Sequence, residues 1–298
     1  MGLAVILSLA AAAAYGVSDF LGATAATRLR VIPTTVLSYA AATVTLAVLV
    51  LATGGIWSSA VVVFGGIAGV TALIGFVCFY AAMAIGPMNL ASPLIAVLGA
   101  AVPVAAAVAF GERLSPWAWL GVVLALASAV LISSRPGEGG RRLTARAAVL
   151  SIVAGVSLGS AVIALDRAPL ESGSLAAFVE IVVGLALLGL IVIVARASVP
   201  LRLWLSNLGG AHTVAGGRRR NVVAALVAGI LLAVANAALL AALQSGSLAV
   251  VSVLVGLYPL ATLVLVRFVG GERMTRLQLI GAALAIAATA VLGLSLTA

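Results

Sequence analysis

No lysine occurs in this chain, and cysteine and histidine occur once each, as Cys78 and His212. A lone cysteine cannot close a disulfide within one monomer, and with a single histidine it offers no spacing for a metal site. Nucleophilic and metal chemistry have almost no raw material, so an intramembrane enzyme is disfavoured and no cofactor is expected. Charge is scarce too. Only 8% of the 298 residues are charged, against about 25% in soluble domains. With 64% hydrophobic residues and a mean hydropathy of +1.34, the chain could not cover its own surface with polar groups. Its solvent is therefore lipid. The sequence also lacks a P-loop, a Gly-x-Gly-x-x-Gly ahead of a helix and a Ser/His/Asp set, which argues against ATP-driven work. The formal charge of +9 would suggest nucleic acid in a soluble protein. Here the arginines sit between apolar runs with no aromatic-interleaved basic face, so no nucleic-acid partner is expected.

What the chain does have is a repeat. The stretch from Gly86 to Gly121 returns 160 residues later as Gly246 to Gly281, without a gap. Ser92 falls on Ser252, and Gly111-Glu112-Arg113 falls on Gly271-Glu272-Arg273. A period of about half the chain marks a duplicated unit, and in a hydrophobic chain it points to a transporter built from repeats. Gly16-Val17-Ser18 and Gly155-Val156-Ser157 echo one another in the same sense. The first apolar run therefore belongs to the repeat, and it lacks the charged start of a signal peptide.

A membrane-crossing helix needs about 20 mostly apolar residues. Ten runs qualify: 3–24, 33–53, 60–84, 88–110, 115–133, 144–165, 173–195, 221–243, 247–268 and 275–296. The expected fold is an all-α integral membrane protein, with ten helices in two inverted five-helix repeats around a central cavity. Residues 1–134 form the first repeat, 135–143 a polar linker and 144–298 the second. Abundant alanine and glycine suit close helix packing. Of the 16 arginines, all but Arg113 and Arg167 lie in loops that follow odd-numbered runs. The positive-inside rule then places those loops in the cytosol and both termini outside. The long loop after the seventh run holds Trp204 and His212, and Leu201–Leu205 suits the membrane surface. An odd number of spans per repeat sends the second copy into the membrane from the opposite side, the arrangement that underlies alternating access.

Seven acidic residues are present. Glu112 and Glu272, next to Arg113 and Arg273, suit helix capping or pairing with arginine at the interface. Asp19 and Glu180 fall inside apolar runs, where a carboxylate is expensive and is a functional candidate by default. The alternatives are a buried acid bonded to a neighbouring helix for Glu180 and an interfacial acid near Arg28 and Arg30 for Asp19. Other polar groups at membrane depth include Tyr15, Ser18, Tyr80, Asn89, Ser92, Ser157, Ser160, Asn236, Ser252 and Tyr258. Some must serve packing alone, since buried polar groups need partners. The mid-span amide of Asn236 can hold a carboxylate, an amine or a hydroxyl. Ser92 and Ser252 match across the copies and suit a pseudo-symmetric cavity. Pro93, Pro103 and Pro259 interrupt backbone bonding and mark bends.

Two five-span halves, with Tyr15-Gly16-Val17-Ser18-Asp19-Phe20-Leu21-Gly22, Phe79-Tyr80-Ala81-Ala82-Met83-Ala84-Ile85-Gly86-Pro87 and the paired Gly-Glu-Arg elements, resemble the EamA family of the drug/metabolite transporter superfamily. The resemblance covers nearly the whole chain. It implies a secondary transporter exporting a small metabolite, such as an amino acid or an amphipathic or toxic compound, from the bacterial cytoplasmic membrane. It implies a cavity lined by the first, third, fourth, sixth, eighth and ninth spans, with the seventh at the periphery. The cavity candidates are then Tyr15, Ser18, Asp19, Tyr80, Asn89, Ser92, Ser157, Asn236, Ser252 and Tyr258. The expected partners are a small-molecule substrate and membrane lipid, and a monomer is compatible with the duplication. Relatives often keep their termini in the cytosol, whereas the arginines here point the other way. The competing function is a non-transporting membrane scaffold or assembly subunit, which expects a bundle packed solid.

Overall fold

Backbone groups in lipid find partners only within a helix or a closed barrel, and this chain answers with helices throughout. The computed structural model describes residues 2–85, 88–133, 144–206, 208, 217–269 and 275–295. In order these form α1 (Gly2–Leu29), α2 (Val31–Thr53), α3 (Ser59–Ile85), α4 (Met88–Ala109), α5 (Pro116–Ser133) and α6 (Ala145–Asp166). After a short 3-10 turn at Leu170–Ser172 come α7 (Leu175–Ala197), α8 (Val199–Ser206), α9 (Arg218–Leu243), α10 (Leu248–Val255), α11 (Tyr258–Val269) and α12 (Arg276–Ser295). Among the described residues, α1, α2, α3, α6, α7 and α9 are long and apolar enough to cross a membrane. Shorter apolar helices cover Leu94–Ala109, Pro116–Leu131, Leu248–Ala261 and Arg276–Leu292. The polar linker, His212 and Gly271-Glu272-Arg273 lie outside the described residues.

One run differs in kind from the sequence expectation. The ninth run is not one helix but two, broken at Gly256 and Leu257. Pro259 has no N–H for the Val255 carbonyl, and the backbone tightens there, with Leu257 N–H bonding Leu254 O at 3.2 Å and Leu260 N–H bonding Leu257 O at 2.9 Å. The repeat offset puts Gly99 opposite Pro259, and α4 stays continuous there. The stretch around Leu201–Leu205 is helical, as α8.

Hydroxyls inside the bundle are mostly satisfied by their own helix. Thr35 Oγ1 bonds Val31 O at 2.9 Å, Ser151 bonds Ala147 O at 2.8 Å, and Ser160 bonds Val156 O at 2.8 Å. Bulky apolar side chains such as Val44, Leu51, Val62 and Ile286 point outward and exposed, as lipid-facing positions do.

The helices of the two halves meet in matched pairs. In chain order α1 to α5 correspond to α6, α7, α9, the α10–α11 pair and α12. Helix α1 packs on α9 as α3 packs on α6, and α2 packs on α9 as α3 packs on α7. Helix α4 packs on α6 as α1 packs on α10 and α11. Two pairs of corresponding helices run antiparallel where they touch. Ser128 Oγ on α5 donates to Gly281 O on α12 at 2.8 Å, while Gly121 lies against Leu292. Helix α2 meets α7 in the same sense, with Tyr39 against Gly184 and Gly55 beside Leu175.

The closest approaches also repeat at the same offset. Gly69 on α3 lies against the Glu180 backbone of α7, and Gly229 on α9 lies against the Ser38 backbone of α2. Gly69 and Gly229 are 160 residues apart. Any side chain at either position would run into backbone, which cannot move aside as a side-chain tip can. Gly66, by contrast, faces open space. The Gly229→Val variant should therefore lose about 1–3 kcal/mol or more through overpacking. Gly66→Ala should be neutral or gain about 0.5–1 kcal/mol from helix propensity. Thermal unfolding of the purified protein in detergent separates the two.

Candidate functional site

The α1–α9 and α3–α6 pairs leave a cavity of about 90 Å³ between them. That exceeds the ~30 Å³ that one water takes up in the liquid. Its lining comes from α1, α3, α4, α6, α9, α10 and α11, joined by one residue of α7. The α1–α9 side presents Tyr15, Asp19, Asn236 and Leu239. The α3–α6 side presents Ala72, Phe76, Phe79, Leu158, Ala161 and Leu165. The α10–α11 break adds Ser252, Gly256 and Tyr258, and α7 adds Glu180.

The polar groups form a chain across three helices. The Tyr15 hydroxyl on α1 donates to Asn236 Oδ1 on α9. Asn236 Nδ2 in turn donates to Glu180 Oε2 on α7 at 3.0 Å. Asn236 and Glu180 are buried, at 2% and 3% exposure, so the amide uses both its acceptor and its donor where water would otherwise be needed. Asp19 stands one helical turn from Tyr15. Its Oδ1 is buried and has no hydrogen-bond partner among the described residues, and the same holds for Ser252 Oγ. Among the described residues no arginine and no histidine lines the cavity. Two carboxyl groups thus share an apolar space without a basic side chain.

Several expected residues are placed elsewhere. Ser18 is buried and ties helices together, its hydroxyl donating to Ala228 O on α9 at 2.8 Å. Tyr80 stands behind the lining, with its ring packed on Phe76 and Phe79 at centroid distances of 6.1 and 5.5 Å. Ser157 does not line the cavity. The side chains of Asn89 and Ser92 lie outside the described residues. The expectation that the seventh run is peripheral is corrected by Glu180, which reaches the cavity because Gly69 lets α7 press against α3. The signal for it was present as Gly65-x-x-x-Gly69, a small-residue face that marks where α3 takes a close neighbour. Glu112 also departs from its expected role. It neither caps α5, which is capped by Ser115 through Ala118 N–H at 3.1 Å, nor pairs with Arg113. It accepts a hydrogen bond from Ser247, the N-cap of α10 in the other half. Beside it, the Arg167 guanidinium lies 4.0 Å from the centre of the Phe110 ring.

Helices of membrane length, matched halves and a buried polar cluster define a multi-pass membrane protein with two related halves. The sequence model of the EamA-like transporter family matches twice, over residues 2–134 and 145–294. The chain belongs to this family, which is part of the drug/metabolite transporter superfamily. Among curated proteins none matches the sequence significantly. One solved structure, described only as the crystal structure of a protein, superimposes with a TM-score of 0.72 at 20% identity, over 98% of this chain and 96% of that chain. At that identity the likeness is one of fold.

Removing the amide of Asn236 separates the shared partner from two groups at once. Asn236→Leu should cost about 1–3 kcal/mol, the penalty of stranding buried polar groups. Ser160→Ala, whose hydroxyl bonds only its own helix, should stay within about 0.5 kcal/mol. Thermal midpoints of the two variants test the difference.

Proposed function

We propose that this protein is a secondary transporter that exports a small metabolite by alternating access, with proton coupling or exchange as the driving reaction. Its ten spans comprise the six long helices and the four shorter apolar ones, with α10 and α11 forming a single broken span. The two five-helix repeats are inverted about the membrane plane and rock around the cavity. Antiparallel contact between α5 and α12 and between α2 and α7 supports the inversion, because equivalent helices of inverted repeats must run oppositely. The broken span beside the cavity suits the same reading, since discontinuous helices are common at transporter binding sites.

The observation that carries the proposal is Asp19, a carboxyl group inside the bundle with a buried oxygen left unpartnered at the cavity wall. A carboxyl placed there can take up a proton or a substrate group from one side and release it to the other. The tyrosines and the acid that share its cavity are Tyr15, Tyr258 and Glu180. A non-transporting scaffold expects a solid core, and the cavity weighs against it. Reconstituted in proteoliposomes, the wild type should transport with a rate that depends on pH. Asp19→Asn should abolish that dependence. Unchanged pH-dependent flux in the variant removes Asp19 from the role.

Orientation follows from the arginines. Both termini lie outside the cytoplasm of a bacterial cell, and the loops rich in arginine lie inside. Alkaline phosphatase fused to the C-terminus should be active, and green fluorescent protein fused there should stay dark. The reverse pattern overturns the orientation.

A further inference from the structure

The two halves share a scaffold but not a chemistry. At the repeat offset of 160 residues, Asn236 corresponds to Phe76. The Gly16-Val17-Ser18 and Gly155-Val156-Ser157 match makes Asp19 correspond to Leu158. The equivalent glycine contacts make Glu180 correspond to Ser38. Phe76 and Leu158 line the same cavity as their polar counterparts. One wall, from α1 and α9, therefore carries an acid, an amide and a phenol. The symmetry-related wall, from α3 and α6, carries no polar side chain in its lining. A cavity of this kind has a polar, acidic end and an apolar end.

From this we infer that the ligand is an amphipathic organic monocation, an amine whose ammonium group sits at Asp19 and whose apolar body lies against Phe76, Phe79 and Leu158. The inference rests on the transporter reading and narrows its substrate class. An ammonium group supplies the donors that Asp19 Oδ1 lacks among the described residues and brings positive charge to a space where those residues place no arginine or histidine. Tyr15 and Tyr258 also line the cavity. A carboxylate on the ligand would enter beside two acids with no basic partner, and a buried charge without a partner is strongly disfavoured. Zwitterionic amino acids and organic anions are excluded on the same ground. A neutral alcohol can donate one hydrogen bond to Asp19 but brings no positive charge, so it lacks the charge-assisted bond that the amine makes.

The test uses four probes that share one aromatic body: 2-phenylethylamine, 2-phenylethanol, 3-phenylpropionate and phenylalanine. Thermal unfolding of the full-length protein in detergent reads binding, since a ligand of the native state raises the midpoint as its concentration grows. The amine should raise the midpoint, and the alcohol, the anion and the zwitterion should not. Asp19→Asn should weaken the amine's apparent affinity roughly tenfold or more, as expected for loss of a charge-assisted hydrogen bond. Asp19→Glu should retain binding, which separates loss of the carboxylate from a folding defect. Stabilisation by phenylalanine or 3-phenylpropionate at equal or lower concentration overturns the inference. So does an amine effect unchanged in Asp19→Asn, or no effect of the amine on the wild type. Counterflow of radiolabelled probes in proteoliposomes tells this failure from that of the transporter reading. Counterflow of phenylalanine with none of the amine sinks the ligand class and leaves the transporter standing. Binding of the amine without counterflow of any probe leaves the ligand class standing and sinks the transporter.

Discussion

Two backbone-to-backbone contacts hold the architecture together. In lipid no hydrophobic force draws helices to one another, so association depends on how closely they can approach. Gly69 brings α3 against α7 at Glu180, and Gly229 brings α9 against α2 at Ser38. Both α3 and α9 also contribute cavity-lining residues, Phe76 among them on one and Asn236 on the other. The glycines therefore set the distance between the outer helices and the centre. Without the approach at Gly69, Glu180 could not reach Asn236 across to α9, and the chain of hydrogen bonds from Tyr15 would stop at the amide.

Around these contacts the bundle repeats itself. Several neighbour pairs recur in each half, and α5 and α12, like α2 and α7, run in opposite directions where they touch. The side chains that fill equivalent places are free to differ, because helix geometry is specified by small residues at a few contacts. Asp19 and Leu158, or Asn236 and Phe76, exchange polarity without disturbing the packing that places them. A single chain that carries two copies can therefore keep a symmetric frame and hold an asymmetric cavity. A dimer of identical five-helix chains could not, since every acid on one wall would appear on the other.

Polar groups at depth divide by what satisfies them. Ser18 and Ser38 bond carbonyls of α9, and Ser160 bonds its own helix, so these hydroxyls are consumed by structure. Asn236 is consumed by two neighbours. Among the described residues Asp19 and Ser252 each keep a buried oxygen without a partner, and both line the cavity. All of these but Ser38 stand out in the sequence, because each is a polar residue in an apolar run. Which of them are already satisfied was not legible there, since a partner can lie on another helix, as far as 221 residues away for Tyr15 and Asn236.

Composition, run length and the 160-residue offset were enough to establish helices in lipid and a duplicated unit, while the family was legible only as a resemblance carried by motifs such as Tyr15–Gly22 and the paired Gly-Glu-Arg elements. The first two follow from local properties: apolar runs must become helices, and a copied segment keeps its spacing. The acids inside those runs were also visible as anomalies. Only the tertiary structure decided that the ninth run breaks at Gly256, that Ser157 faces away from the cavity lining and that Glu180 joins it. Those outcomes depend on the rotation of each helix about its axis and on which neighbour a glycine admits, and an apolar run reads nearly the same all the way round.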